Sequence, residues 1–171
     1  MKHLAAVCVG VLLLTGCSTK FADIKVDSAA IGEVDLNGYT TYAWGAEAAV
    51  LRDPGAEWMP ANIDIGAEIR HCIERELNAK GLIHAREDPG LLVVYGVGVD
   101  MQAMDIIEED DKVEFVESPR GEVLVVLFDP KAGEVAWVGA ASGEVQGEPD
   151  AQVTRARLDH AIKKMFKGYK N

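Results

Sequence analysis

The chain has few cysteines, few basic residues and no apolar run long enough to cross a membrane, and each shortage removes a class of protein. Cysteine occurs three times in 171 residues, at positions 8, 17 and 72. Cys8 lies in a segment expected to be cleaved away and Cys17 in a position for modification. Only Cys72 then stays a thiol, so no internal disulfide is expected in the mature domain. Cys72 stands among Ile65, Ile69, Ile73 and Leu77 at helical spacing, which reads as a small core residue and not as a nucleophile. Lysine and arginine number 17 against 28 aspartates and glutamates, a formal charge of −11. A surface that acidic repels phosphate backbones, so nucleic acid is not an expected partner; the same charge favours solubility. The longest apolar run, Leu4–Leu14, has eleven residues, where a membrane-spanning helix needs about twenty.

What is present at the N-terminus is an export signal. Met1-Lys2-His3 gives a basic start, Leu4–Leu14 the apolar segment, and Thr15-Gly16-Cys17 a small-residue cleavage site. Leu14-Thr15-Gly16-Cys17 resembles the bacterial lipobox, which implies cleavage before Cys17, a diacylglycerol on its sulfur and often a third acyl chain on its new amine. Buried methylenes contribute about 0.8 kcal/mol each, so two or three chains hold a protein on a membrane almost permanently. Ser18 follows the cysteine where an aspartate would resemble an inner-membrane retention signal, so an outer-membrane location facing the periplasm is expected. Residues 1–16 are therefore read as a signal peptide, 17–21 as the lipidated cysteine with a short tether, and 22–171 as a single domain. Loss of 1–16 leaves 155 residues, enough for one real core.

Periodicity predicts an α+β domain, a mainly antiparallel β-sheet with two amphipathic helices packed on one face. Phe21–Asp27 and Tyr39–Trp44 read as strands, separated by a loop from a helix that Asn62 caps and Gly81 ends near Lys80. Ile65, Ile69, Cys72, Ile73 and Leu77 form its apolar stripe, and Glu76 with Lys80 an i,i+4 pair on the opposite side. Leu91–Val99 is apolar on both faces, which predicts a central strand; Gly96 and Gly98 allow close approach by something packed above them. Gly121–Asp129 and Glu134–Val145 form a hairpin through Pro130-Lys-Ala-Gly133, with Val135, Trp137, Gly139, Ala141 and Val145 on one face. Pro149 and Asp150 open a last helix with Val153, Leu158, Ala161, Ile162 and Met165 as its stripe.

In this order, Tyr39-Thr-Thr-Tyr-Ala-Trp44, Leu77-Asn-Ala-Lys-Gly-Leu82, Asp88-Pro-Gly-Leu-Leu-Val-Val-Tyr95, Gly121–Asp129 and Val135-Ala-Trp137-Val-Gly139 follow a lipobox. That series resembles the lipoprotein family carrying the domain of unknown function 4136. The resemblance implies an envelope lipoprotein with an α+β domain, and no enzyme activity, cofactor or catalytic residue. One departure is acidic Met104–Glu117, where members of the family often carry a Gly/Tyr/Trp-rich segment.

No catalytic motif, metal site or cofactor is read from the sequence. Ser142 lies within a strand and not at a strand-to-helix elbow, and Gly96-Val-Gly98 lacks a third glycine and a following helix. His71, His84 and His160 show no metal-ligand spacing. The carboxylates of segment 105–117 could serve a divalent cation but lack the EF-hand order, so they read as a solvated loop or strand edge. Tyr39, Tyr42 and Trp44 read as core aromatics. Trp58 and Met59, in a proline-flanked loop, are the candidate contacts for a partner. The expected role is a non-enzymatic binding or assembly module held at the membrane by lipid on Cys17, its partner an envelope protein or a peptidoglycan-associated one. The rival readings are a periplasmic hydrolase whose site forms only in the tertiary structure, and cation binding through 105–117.

Overall fold

The computed structural model describes residues 21–32, 34–45, 63–100, 119–145 and 150–169, and the backbone of 104–109 and 112–117. Cys17, Trp58, Met59, Asn62 and Pro149 lie outside the described residues. In chain order the elements are β1 (Lys25–Ala30), β2 (Thr41–Trp44), α1 (Ile65–Ala79), β3 (Ile83–His84), β4 (Leu91–Asp100) and β5 (Met104–Glu109). They continue with β6 (Lys112–Glu117), β7 (Arg120–Asp129), β8 (Glu134–Glu144) and α2 (Ala151–Phe166). Six strands form one sheet in the order β1-β8-β7-β4-β2-β3, and β5 pairs with β6 alone in a separate hairpin. The β1–β8, β8–β7 and β7–β4 pairs are antiparallel, whereas β2 lies parallel to both β4 and β3. The fold is α+β, with a mostly antiparallel mixed sheet.

Both helices lie on one face because each presents one apolar stripe. Asp64 caps α1 by accepting from the Ala67 amide at 3.0 Å. Asp64, two residues after Asn62, has the extended backbone that a cap requires. Gly81 ends the helix at φ +84°. Its amide donates to the Asn78 carbonyl and that of Leu82 to the Leu77 carbonyl, a Schellman closure sealed by buried Leu77 and Leu82. Glu76 pairs with neighbouring Arg75, not with Lys80, whose ammonium lies 5.2 Å from the centre of the Tyr169 ring. Asp150 caps α2 by accepting from the Val153 amide at 2.9 Å. Ion pairs join Glu68 to Arg155 and Asp159 to Arg75, so the two helices run in the same direction.

The core lies between helices and sheet. Ile69, Cys72, Ile73 and Leu77 from α1 and Ala161, Ile162, Met165 and Phe166 from α2 are buried. They close on Leu91, Val93, Tyr95 and Val97 of β4, Val123, Val125 and Leu127 of β7, and Trp137 of β8. Each large aliphatic side chain so buried contributes about 1.5–3 kcal/mol. Trp137 packs on Phe166 and Tyr169 with ring centres 4.9 and 6.2 Å apart. This is possible because Gly139, on the same face of β8, leaves room for Met165; a Cβ there would strike both Met165 and Trp137.

Two strand expectations shift and a third is decided. Phe21–Asp23 form a turn, with the Ile24 amide donating to the Phe21 carbonyl, so β1 begins at Lys25. The register of β7 on β8 changes between Leu127 and Phe128, leaving Ala136 as an extra buried residue and Val135 opposite Phe128. Val135 therefore does not share the face of Trp137. Residues 104–109 and 112–117 form a β-hairpin, Met104 opposite Glu117 through Glu109 opposite Lys112, so of the loop and strand-edge readings of 105–117 the strand one holds.

Candidate functional site

The sheet's second face is the first candidate surface. Alternation from the core residues places Leu92, Val94, Gly96 and Gly98 of β4 on it, beside Glu122, Leu124, Val126 and Phe128 of β7. Val138 and Ala140 of β8 extend the strip toward Lys25, Asp27 and Ala29 of β1. Among the described residues no helix lies over this face. Val94 is 38% exposed and Leu124 45%, unusual values for aliphatics in the middle of a sheet. Where Gly96 and Gly98 supply no side chain, a depression of about 290 Å³ opens between Leu124, Ala140 and Lys25. The close approach expected at these glycines is thus a hollow in the described structure.

A second feature is an apolar cleft of about 110 Å³ on the helical side, at the end of the sheet where both helices begin. Val97, Val123 and Ala141 form its floor, and Ile65, Val153 and Leu158 its walls. Glycines at 121 and 143 leave the floor without long side chains there. At its edge Arg157 forms an ion pair with Asp23 and donates to the Glu144 carbonyl at 3.0 Å, while Asp23 also accepts from the Glu144 amide. The Arg157 guanidinium holds the Asp23 carboxyl below the ordinary carboxylate range, against a partial desolvation that opposes it.

Electrostatics elsewhere serve structure. Burial lifts the Cys72 thiol to about 11, so this buried sulfur is not an activated nucleophile. Burial, with the Asp129 carboxylate that its hydroxyl contacts at 2.7 Å, pushes Tyr39 up to about 12. Tyr42 is buried, and Trp44 stands against α1, its Nε1 donating to Glu74 at 3.0 Å and its ring 4.5 Å from the Arg70 guanidinium carbon. These aromatics are packing groups.

The three histidines are not brought together as a metal site. His71 is exposed on α1, His84 touches the Tyr42 ring edge-on, and His160 stacks on Phe21. Among the described residues no group of three histidine, cysteine, aspartate or glutamate side chains could hold a metal ion. Ser142 lies within β8, opposite Glu122 and Lys25. No helix among the described residues is long and apolar enough to cross a membrane. Sequence reading missed both surface features. The apolar character of both faces of Leu91–Val99 and Val123–Phe128 was the available signal for the open face. The cleft has none, because Ala141 and Leu158 meet only in the tertiary structure.

No curated protein is significantly similar in sequence. Among solved structures, a PDZ domain protein from Parabacteroides distasonis matches at 18% identity and TM-score 0.53 over 87% of this chain. The chain spans only 37% of that protein. The PelC dodecamer from Paraburkholderia phytofirmans matches at 12% identity and TM-score 0.52, covering 85% of this chain and 96% of the other. A DUF4136 family protein from Bacteroides thetaiotaomicron matches at 11% identity and TM-score 0.55, over 86% and 96%. At these identities the likenesses speak for the fold. The family model for the domain of unknown function DUF4136 matches residues 25–169, from the first residue of β1 past the end of α2. The chain belongs to the DUF4136 family.

Proposed function

We propose that this chain is a non-enzymatic binding or assembly module of the bacterial envelope, held by lipid on Cys17 at the outer membrane and facing the periplasm. The anchor reading rests on the signal sequence, its Leu14–Cys17 close and Ser18 after the cysteine. The observation that carries the binding role is the open sheet face with Val94 and Leu124 exposed at its centre. Contiguous exposed apolar surface of this kind marks interaction sites. The partner is an envelope protein or a peptidoglycan-associated one, and Trp58 and Met59 remain the proposed loop contacts.

The test places a photoreactive phenylalanine at Val94, Leu124 or Trp58 of the full-length protein in its native envelope. Adducts from the sheet positions, and none from exposed Glu87, support the reading. Adducts from none of these positions refute it. A second reading, self-assembly through the same face, is motivated by the dodecamer that the structurally similar PelC forms. Adducts at twice the mass of the chain select it. Loss of acyl mass from the Cys17 peptide, or fractionation with the inner membrane, would overturn the corresponding part of the anchor reading.

A further inference from the structure

We propose that the apolar cleft between the helix starts and the sheet receives the end of an acyl chain carried on Cys17, so that the domain partly shelters its own anchor. This rests on the lipid-anchor reading and adds a place for the lipid outside the bilayer. The cleft holds about 110 Å³, well below the roughly 300–1,000 Å³ of a pocket that buries a drug-sized ligand. It therefore takes the terminal methylenes of one chain and not a whole lipid. Its floor and walls are mostly aliphatic, with Glu122, Ser142, Glu144, Thr154 and Arg157 the polar residues among those that line it. The charged pair at its edge, Asp23 with Arg157, is bonded to itself and to the backbone of Glu144. Such a surface makes no directional demand, which suits an unbranched hydrocarbon.

The course of the N-terminal chain selects the occupant. Phe21 stacks on His160 of α2 at 4.6 Å between ring centres. The Ile24 amide donates to the Phe21 carbonyl at 3.2 Å, and Ile24 itself lines the cleft. The chain thus meets the domain one turn from the cleft wall. Residues 18–20 alone separate Phe21 from Cys17, a reach of at most ~14 Å. An acyl chain on Cys17 starts within that radius and is presented at the high effective concentration of a tethered ligand, which a free fatty acid must outcompete.

The test uses the full chain produced in cells fed a fatty acid with a diazirine near its terminal methyl. The lipidated protein, extracted and kept in amphipol, is irradiated, and adducts are mapped by peptide mass spectrometry. Adducts joining the Cys17 lipid to peptides containing Val97, Val123 or Leu158 are expected. They should disappear in Ala141→Leu, which fills the floor, with thermal unfolding recorded to show that the domain is folded. Should Ala141→Leu not fold, Val99→Phe at the rim carries the same expectation. Adducts to amphipol alone, or undiminished adducts in the folded filled variant, overturn the proposal. So does equal labelling of the cleft in Cys17→Ala by the free fatty acid at equimolar concentration. Absence of acyl mass on the Cys17 peptide instead overturns the anchor reading on which it rests, so the two failures are distinguished.

Discussion

At Gly139 one missing side chain decides how closely α2 can approach the sheet, since a Cβ there would collide with Met165 and Trp137. Gly139→Ala should cost about 1–3 kcal/mol, as overpacking of a dense core does, seen as a lower urea midpoint at unchanged slope. Asp23 and Arg157 supply the second residue-scale prediction. The Arg157 guanidinium holds the Asp23 carboxyl below the ordinary aspartate value of 3.8. Its contribution to stability is therefore present above that pH and is lost as pH falls through the lower folded value. Asp23→Asn should lower Tm at pH 7, and the difference from wild type should shrink as pH drops below 4; a constant difference would refute the coupling. Cys72 was legible in the sequence because its neighbours repeat at helical spacing. The Asp23–Arg157 pair was not, because 134 positions separate its partners and no local pattern joins them.

Elements with strong periodicity were the legible ones. The stripe of α1 and the two-sided apolar character of β4 were readable because burial acts on every second residue of a strand and every third or fourth of a helix. The two-residue strand β3 was hidden, since so short a segment has no period to read. The start of α1 was misplaced because Asn and Asp are both capping residue types, and composition alone does not choose between positions 62 and 64. Gly81, at φ +84°, should not tolerate a side chain: Gly81→Ala is expected to cost about 1 kcal/mol, measured by thermal unfolding. The hairpin of β5 and β6 gives a further prediction. Its strands pair with each other and with no third strand among the described residues, and a lone hairpin is marginally stable in water. Amides of 104–109 and 112–117 should exchange with deuterium well before those of β4 and β7; equal protection would mean that the hairpin is covered by something else.

For the molecule as a whole, the α+β class and the helices on one face were readable from pattern, whereas it was not readable that the described residues leave the other face open. Apolar residues on both sides of a strand ordinarily signal cover on both sides, and only the assembled sheet shows which side the described residues leave uncovered. Introducing Lys at both Val94 and Leu124 should leave stability within about 0.5 kcal/mol, as surface changes do, while abolishing photoadducts from a neighbouring reporter at Ala140. Retained adducts would separate the exposed face from any binding role. The pairing of β1 with β8, Lys25 opposite Ser142 at one end and Ala30 opposite Trp137 at the other, carries a consequence for how the molecule is made. Synthesis delivers β1 first and β8 almost last, so β1 waits unpaired until nearly the whole chain has been made. Closing that distant pair comes at the end of a slow, non-local search. Phe21 and Asp23, just before β1, are clamped by His160 and Arg157 only when α2 arrives. A molecule truncated before α2 would therefore keep the β1–β8 pair but leave the residues just before β1 unclamped and open to proteases.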